Sequence, residues 1–149
     1  MPKIIFHLPF KINPALSSGT NIRPLKMLKA FEELGYEVDF IMGLGDERKK
    51  QISAIKSKLE QGVRYDFLYS ESSTLPTLLT EPHHLPTYPC LDFNFFRFCK
   101  NKGIKIGLFY RDIFWNFDAY SLRGIKAIYA RAMYHYDLKK YNALVDTLF

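Results

Sequence analysis

The sequence predicts an α/β domain in which an open parallel sheet of about five or more strands has helices on both faces. Short apolar runs rich in branched and aromatic residues, typical of buried parallel strands, alternate along the chain with segments of helical periodicity. The chain has 149 residues, of which 48% are hydrophobic, and this is enough for one domain with its own core. Residues 1–149 are therefore expected to form a single domain.

Five segments are predicted to be strands, and each is bounded by turn-forming or helix-forming sequence. The first reads KIIFHL and the fourth reads IKIGLFY. Runs of this kind suit strands that are covered on both faces, as in a parallel sheet. The five segments are residues 3–8, 37–43, 65–71, 104–110 and 143–149.

Helical patterns lie between these strands. Residues 22–34 carry an apolar residue at every third position, and Gly35 is placed as the C-terminal cap. Helices are also predicted over 46–61, 88–102 and 119–142. The expected apolar stripes are Ile22, Leu25, Leu28, Phe31 and Leu34 in the first helix, Ile52, Ile55 and Leu59 in the second, and Leu122, Ile125, Tyr129 and Met133 in the fourth. Strand–helix–strand units in this order predict a Rossmann-like, doubly wound sheet.

Composition limits the classes of partner and location. Lys and Arg number 21 against 15 Asp and Glu, and the net charge of +6 favours phosphorylated ligands, acidic lipid surfaces or nucleic acid. No apolar run approaches the roughly 18 residues that cross a bilayer, and the N-terminus lacks a signal peptide, so a cytoplasmic location is expected. The DERKK segment at 46–50 is expected to be a solvated helix face. Cys90 and Cys99 are expected to be reduced thiols in the core.

In a doubly wound sheet, ligands bind beyond the carboxyl ends of the strands. The loop after the first strand contains SSGTNIRP at 17–24, which matches neither the dinucleotide fingerprint nor a P-loop. Its backbone N–H groups precede a helix, Asn21 is a candidate cap and Arg23 adds a positive fork. Helix capping alone and the binding of an anion or sugar both remain open for this loop. The candidate binding residues here are Ser18, Gly19, Thr20, Asn21 and Arg23.

The loops after the third and fourth strands supply the other candidates. Glu71 could bind a sugar hydroxyl or cap a helix that begins near residues 73–74. The fourth strand is followed by Tyr110, Arg111, Asp112, Trp115 and Asn116. Aromatic rings pack on the apolar face of a sugar, and forked polar groups bind hydroxyls and phosphates. The alternative is a surface pair of Arg111 with Asp112 and a Trp115 that fills the core. His83 and His84 lack a standard zinc spacing and are expected in a surface loop.

Three segments carry a resemblance to a known family: SGTNIRPLKMLKAFEELGYEVDFIMG, FYRDIFWNF and YDLKKYNALVDTLF. In this order they resemble the N-terminal half of bacterial glycosyltransferases of family four, which have the two-domain GT-B architecture and act in capsule and lipopolysaccharide assembly. The resemblance spans nearly the whole chain. It implies the acceptor-side domain of an enzyme that transfers a hexose from a nucleotide sugar to a cell-surface glycan or lipid-linked acceptor, without a metal or other cofactor.

The resemblance also implies roles for the candidate residues. The loop at 17–21 would seat the acceptor and the donor diphosphate, and the loop after the fourth strand would lie at the reacting sugar. Relatives often carry a histidine where this chain has Tyr110-Arg111-Asp112, and Arg111 and Asp112 are expected to be the catalytic residues, with Asp112 orienting a hydroxyl or acting as a base. The two loops are expected side by side, because the first and fourth strands are expected to flank the reversal of strand order.

The GT-B architecture requires a second domain that binds the nucleotide sugar, and the 149 residues do not contain it. The chain is therefore expected to be a truncated product or a single expressed domain, inactive alone and prone to self-association through its open cleft. Residues 120–141 form a basic, aromatic segment that suits an anionic membrane surface at the inner face of the membrane. The alternative from another class is a basic binding module for nucleic acid that uses the same helix.

Overall fold

The structure, a computed structural model, describes residues 1–111 and 124–149. Within these residues, five strands alternate with four α-helices and one short 3₁₀ helix. The elements in chain order are β1 (Lys3–His7), α1 (Gly19–Glu33), β2 (Glu37–Ile41), α2 (Gly45–Glu60), β3 (Phe67–Glu71), the 3₁₀ helix (Thr77–Leu79), α3 (Leu91–Asn101), β4 (Lys105–Phe109), α4 (Ile125–Leu144) and β5 (Thr147–Leu148).

All strands are parallel and follow the order β2-β1-β3-β4-β5, which confirms the predicted doubly wound α/β sheet. The chain runs from β1 outward to β2 and then crosses to β3 on the opposite side of β1. The strand order therefore reverses between β1 and β3, where His7 is the register partner of Ser70. The expectation that β1 and β4 flank this point is wrong, because β3 lies between them.

Helices cover the two faces of the sheet unequally. Phe6 of β1 and Tyr69 of β3 pack on one face with Met27, Leu28 and Phe31 of α1. The neighbouring strand residues point to the opposite face, as side chains in a strand alternate. There they form a cluster with α2, α3 and the C-terminal half of α4, whose members include Ile5, Leu68, Ile106, Ile52, Ile55, Phe95, Tyr141 and Leu144. Helices thus lie on both faces, as predicted.

Helix α1 begins at Gly19, earlier than predicted, and its apolar stripe differs from the prediction. Leu28 and Phe31 pack on the sheet, whereas Ile22, Leu25 and Leu34 are 38%, 40% and 71% exposed. A three-residue spacing drifts by about 60° at each step around a helix of 3.6 residues per turn, so the five positions cannot share one face. The predicted end is confirmed: Gly35 has a φ of 86°, and its N–H donates to the Glu32 carbonyl.

The predicted stripe of α4 is also wrong. Ile125 and Tyr129 are 86% and 42% exposed, and Leu122 lies outside the described residues. The buried residues of this helix are instead Ala130, Tyr134, Asp137, Tyr141 and Leu144. This face packs partly on the polar segment after β3, where the Tyr134 hydroxyl donates to the Thr74 carbonyl at 2.6 Å. Within residues 1–111 and 124–149, no helix combines the length and apolar character that crossing a membrane requires.

Both cysteines are reduced, but only one of them is in the core. Cys99 is fully buried in α3, and this burial raises the pKa of its thiol to about 12. Cys90, at the N-cap position of the same helix, is exposed. The prediction of a core thiol is therefore confirmed for Cys99 and wrong for Cys90.

Candidate functional site

Three segments that are distant in sequence meet at the carboxyl edge of the sheet and form a cleft of about 370 Å³. We call it the arginine cleft. It is lined by Gly19, Thr20 and Arg23 of α1, Thr74 after β3, and Phe109, Tyr110 and Arg111 at the end of β4. The loops after the first and fourth strands thus supply one cleft although their strands are not neighbours.

A buried carboxylate lies beside two guanidinium groups at this cleft. Glu71, the last residue of β3, has a side chain with no exposed surface, and its Oε2 is 3.3 Å from Arg111 Nη2 and 3.6 Å from Arg23 Nε. The Tyr69 hydroxyl donates to its other oxygen at 3.1 Å. One carboxylate against two guanidinium groups leaves one positive charge uncompensated within this group. The group is therefore suited to an anion.

Arg111 is held in place from several directions. Its Nε donates to the Ser72 carbonyl and its backbone N–H donates to the Ser72 hydroxyl, both at 2.9 Å. Burial lowers the pKa of Arg111; the Glu71 carboxylate opposes this effect, and the charge of Arg23 adds to it. The side chain is only 13% exposed. The alternative of a surface pair with Asp112 stays a prediction, because Asp112 lies outside the described residues. A bound anion would favour the charged guanidinium.

Arg23 is the more accessible of the two arginines. Its side chain is 40% exposed, and its Cζ lies 3.1 Å from the centroid of the Phe109 ring. Its Nε is buried and has no hydrogen-bond partner among the described residues. Stacking on an aromatic ring fixes the plane of a guanidinium while leaving its edge N–H groups able to donate.

A proline inside α1 contributes to the cleft through the backbone. Pro24 has no N–H to donate to the Thr20 carbonyl one turn earlier, and its ring crowds that carbonyl. The Thr20 carbonyl instead accepts a hydrogen bond from Arg111 Nη2 at 3.4 Å. A gap in the hydrogen-bonding of the helix thereby becomes a contact between α1 and the end of β4.

The start of α1 differs from the predicted cap. Ser18 occupies the N-cap position, but its side chain makes no capping hydrogen bond. Asn21 lies inside the helix and is buried; its Oδ1 accepts from the Asn13 N–H at 2.8 Å, and its Nδ2 donates to the Ser18 hydroxyl at 2.7 Å. The prediction of Asn21 as the cap is therefore wrong, because its side chain fastens the preceding loop. A Cβ at Gly19 would meet no atom of the described residues within 4 Å.

The other predicted site residues divide into three groups. Tyr110 lines the cleft, and its ring packs against Tyr141 with centroids 5.8 Å apart. Glu71 caps no helix, because the chain after β3 becomes helical only at the 3₁₀ helix, where Pro76 holds the N-cap position. Asp112, Trp115 and Asn116 lie outside the described residues, so their predicted roles stay predictions.

A second polar cluster, buried between strands β1 and β3 and helices α2 and α3, was not predicted. His7 Nδ1 is 2.8 Å from the Ser70 hydroxyl, and its Nε2 is 2.7 Å from Asp92 Oδ1. Arg48 donates to both oxygens of Asp92 at 3.1 and 3.2 Å. The four side chains have relative exposures of 1–3%. Burial raises the pKa of Asp92, but the hydrogen bonds and charges of His7 and Arg48 outweigh it and lower the pKa overall.

This cluster joins loops rather than forming an open site. Arg48 Nη1 donates to the carbonyls of Gly43 and Pro9, which follow β2 and β1. Ser70 is too buried to meet a substrate, so we assign the cluster to structure. The expectation that residues 46–50 are a solvated face is wrong for Arg48. One signal could have indicated the cluster, namely the single polar residue His7 in an otherwise apolar strand.

In the described ranges, no group of three or more His, Cys, Asp or Glu side chains is arranged to hold a metal ion. No protein-family model matches the chain, and no curated protein is similar to it at a significant level. The doubly wound fold and the arginine cleft are thus the observations from which a function can be proposed.

Proposed function

We propose that this chain is the acceptor-side domain of a GT-B glycosyltransferase that transfers a hexose from a nucleotide sugar to a cell-surface glycan or lipid-linked acceptor. The resemblance of three ordered sequence segments supports the family, and the doubly wound fold is compatible with one half of such an enzyme. One observation carries the proposal: Arg23 and Arg111 share the buried Glu71 beside the first turn of α1. Guanidinium groups and the N–H groups of a first helical turn both favour phosphates.

The chemistry required of such a cleft is the stabilisation of a phosphate. Substitution at the anomeric carbon releases a nucleoside diphosphate, whose charge is stabilised by guanidinium groups and by N–H groups at a helix start. In the proposal, Arg23 and the first turn of α1 bind the anion, and Glu71 holds Arg111 in the orientation needed to bind it. Asp112 keeps its predicted role of orienting a hydroxyl or accepting its proton. The proposal uses no metal.

The competing function is a binding module for nucleic acid. Lys126, Arg131 and Lys139 of α4 are exposed and could contact phosphates. Stacking of bases would require exposed aromatic rings as well. Tyr134 and Tyr141 are only 3% and 4% exposed. In the described part of α4, Tyr129 is the one exposed tyrosine, at 42% exposure. A single exposed ring is a poor stacking surface, which favours the arginine cleft over the helix as the anion site.

Thermal unfolding of the chain with inorganic pyrophosphate, uridine diphosphate and a single-stranded oligonucleotide tests the proposal. A ligand at 100 times its Kd stabilises the folded state by about 2.7 kcal/mol, which raises Tm by roughly 5–10 °C for a domain of this size. We expect this shift with both diphosphates. Arg23→Gln should abolish this shift, because it removes the accessible guanidinium that binds the anion. The substitution should spare the fold, because Arg111 remains paired with Glu71. The matched control Arg131→Gln, at an exposed position of α4, should keep the shift in Tm.

Two results would overturn this proposal. The first is the absence of any shift with either diphosphate in the unmodified chain. The second is tight oligonucleotide binding that Arg131→Gln weakens and Arg23→Gln leaves unchanged, which would establish the nucleic-acid module instead.

Two predicted associations stay predictions. On the described part of α4, Ile125 and Ile128 are 86% and 71% exposed beside Lys126 and Arg131, as a helix on an anionic membrane surface would require. Self-association of the chain is predicted from exposed apolar side chains and is measured by sedimentation at increasing concentration.

A further inference from the structure

A second concave site lies between the segment after β3 and the N-terminal half of α4. It is a groove of about 540 Å³, within the roughly 300–1,000 Å³ typical of small-molecule sites. We call it the α4 groove. Its apolar lining is Leu75, Pro76, Leu79, Tyr129 and Ala130, and it shares no lining residue with the arginine cleft.

The α4 groove has a fixed floor and open walls. Leu79 and Ala130 are only 6% and 7% exposed, so they belong to the packed interior. Leu75 and Tyr129 on the walls are 39% and 42% exposed. The Tyr134 hydroxyl holds the adjacent Thr74 carbonyl at 2.6 Å, which anchors one wall to α4. A concave apolar surface with a rigid floor suits a narrow hydrocarbon chain better than the flat face of a protein.

The described lining of the α4 groove carries positive charge. Lys126 lines it and has no ion-pair partner among the described residues, and no described lining residue is acidic. His84 Nδ1 donates to the Leu79 carbonyl at 3.1 Å, which leaves Nε2 as the ring nitrogen that can meet a ligand. His83 Nδ1 accepts a hydrogen bond from the Leu85 N–H at 3.1 Å.

The backbone at His84 adds a second sign of a built site. Its φ is 53°, a left-handed conformation that is uncommon for a residue other than glycine. The bond from its ring to Leu79 ties this strained residue to the groove floor. Strain of this kind persists only where neighbouring contacts impose it, and it is concentrated at ligand sites.

We propose that the α4 groove binds a single-chain anionic amphiphile, with the hydrocarbon chain between Leu75 and Tyr129 and the anionic head beside Lys126 and His84. The apolar lining supplies the affinity for the chain, and the ammonium of Lys126 selects an anionic head over a neutral one. This site is separate from the arginine cleft and does not depend on the proposed transfer of a sugar.

Isothermal titration calorimetry with dodecyl phosphate below its micellar concentration tests this inference. Inorganic phosphate serves as the head without a chain, and dodecyl maltoside as the chain without a charge. We expect dodecyl phosphate to bind at least about tenfold more tightly than either. Tyr129→Ser and Lys126→Glu should each weaken its binding by about tenfold. Circular dichroism of each variant, with and without ligand, verifies that the fold is intact.

Matched controls on the same helix separate the groove from its alternatives. Ile128→Ser and Arg131→Glu change exposed residues of α4 that do not line the groove, and both should bind dodecyl phosphate within twofold of the unmodified chain. Three results would overturn the inference: equal affinity for inorganic phosphate, loss of dodecyl phosphate binding in Arg23→Gln, or binding only to phosphatidylglycerol vesicles that Ile128→Ser abolishes. The last result would establish a membrane surface instead.

Discussion

The pH dependence of stability should be governed by one buried carboxyl, Asp137 of α4. Its side chain is 3% exposed; Oδ2 accepts a hydrogen bond from the Thr77 N–H at 2.6 Å, and Oδ1 is buried with no hydrogen-bond partner among the described residues. Burial raises the pKa of Asp137 from its ordinary value of 3.8 to about 7, although the bonds from Thr77 oppose the shift and Asp92 adds to it. Tyr141 also lies nearby and shares a hydrogen bond with Thr77.

The sign of the effect follows from where the proton is held. Between pH 3.8 and about 7, the folded chain keeps the proton on Asp137 and the unfolded chain releases it. The resulting stabilisation is complete below the unfolded pKa and is lost as the pH rises through the folded pKa. At 1.36 kcal/mol per pH unit, raising the pKa of Asp137 from 3.8 to about 7 amounts to about 4 kcal/mol of stability. This is a large part of the roughly 5–15 kcal/mol by which a domain is stable.

Urea unfolding followed by circular dichroism, between about pH 4.5 and pH 8.5, measures this contribution. The perturbation is Asp137→Asn, and the matched control is Asp66→Asn, since Asp66 is exposed. From pH 4.5 to pH 7.5, the free energy of unfolding of the unmodified chain should fall by about 3 kcal/mol relative to Asp137→Asn. Asp66→Asn should run parallel to the unmodified chain. Parallel curves for Asp137→Asn and the unmodified chain would refute the reasoning.

The remaining predictions concern the buried cluster and the thiols. Asp92→Ala should lower the free energy of unfolding by about 3–5 kcal/mol, because it leaves the guanidinium of Arg48 buried without its carboxylate. Urea unfolding measures this loss, and adding Arg48→Met should recover part of it; a loss below about 1 kcal/mol in Asp92→Ala would contradict the assignment. A thiol reagent at neutral pH should modify Cys90 at once and Cys99 only after unfolding, since only Cys90 is exposed. Rapid modification of both thiols in the folded chain would disprove this.

Local signals were enough to predict the order of the elements. The branched and aromatic run KIIFHL indicates a strand, and a glycine after an apolar helical repeat indicates a helix end. Both signals are local, so the strand and the helix end at Gly35 could be predicted from neighbouring residues alone. The convergence of Thr20 and Arg111 was also predicted, but partly on the wrong premise that β1 and β4 flank the reversal of strand order. It occurs because the carboxyl ends of parallel strands lie at one edge of the sheet. The strands at the reversal were misassigned, because pairing partners are not encoded locally.

The partners of the buried polar residues could not be predicted from neighbouring residues. Arg48 pairs with a carboxylate 44 residues away, and His7 with the same carboxylate 85 residues away. A charged residue in DERKK has the same local pattern whether it is solvated or buried against a partner. The exposed faces of α1 and α4 were missed for a related reason. A repeat of apolar residues indicates a helix but does not show which face is buried. In α4 the buried face is set by Tyr134 and Asp137 and their hydrogen bonds to the segment after β3.

Pro24 lowers the stability of helix α1 but leaves the Thr20 carbonyl able to accept from Arg111. A residue with a backbone N–H at this position would restore the bond to the Thr20 carbonyl and give α1 a regular ladder, worth up to about 3 kcal/mol in a helix interior. The same N–H would compete with Arg111 for that carbonyl, whose present contact is 3.4 Å. Selection for a stable helix and selection for a fixed guanidinium thus favour different residues at position 24. A variant library screened only for thermostability should drift away from proline there, whereas one screened for anion binding should keep it.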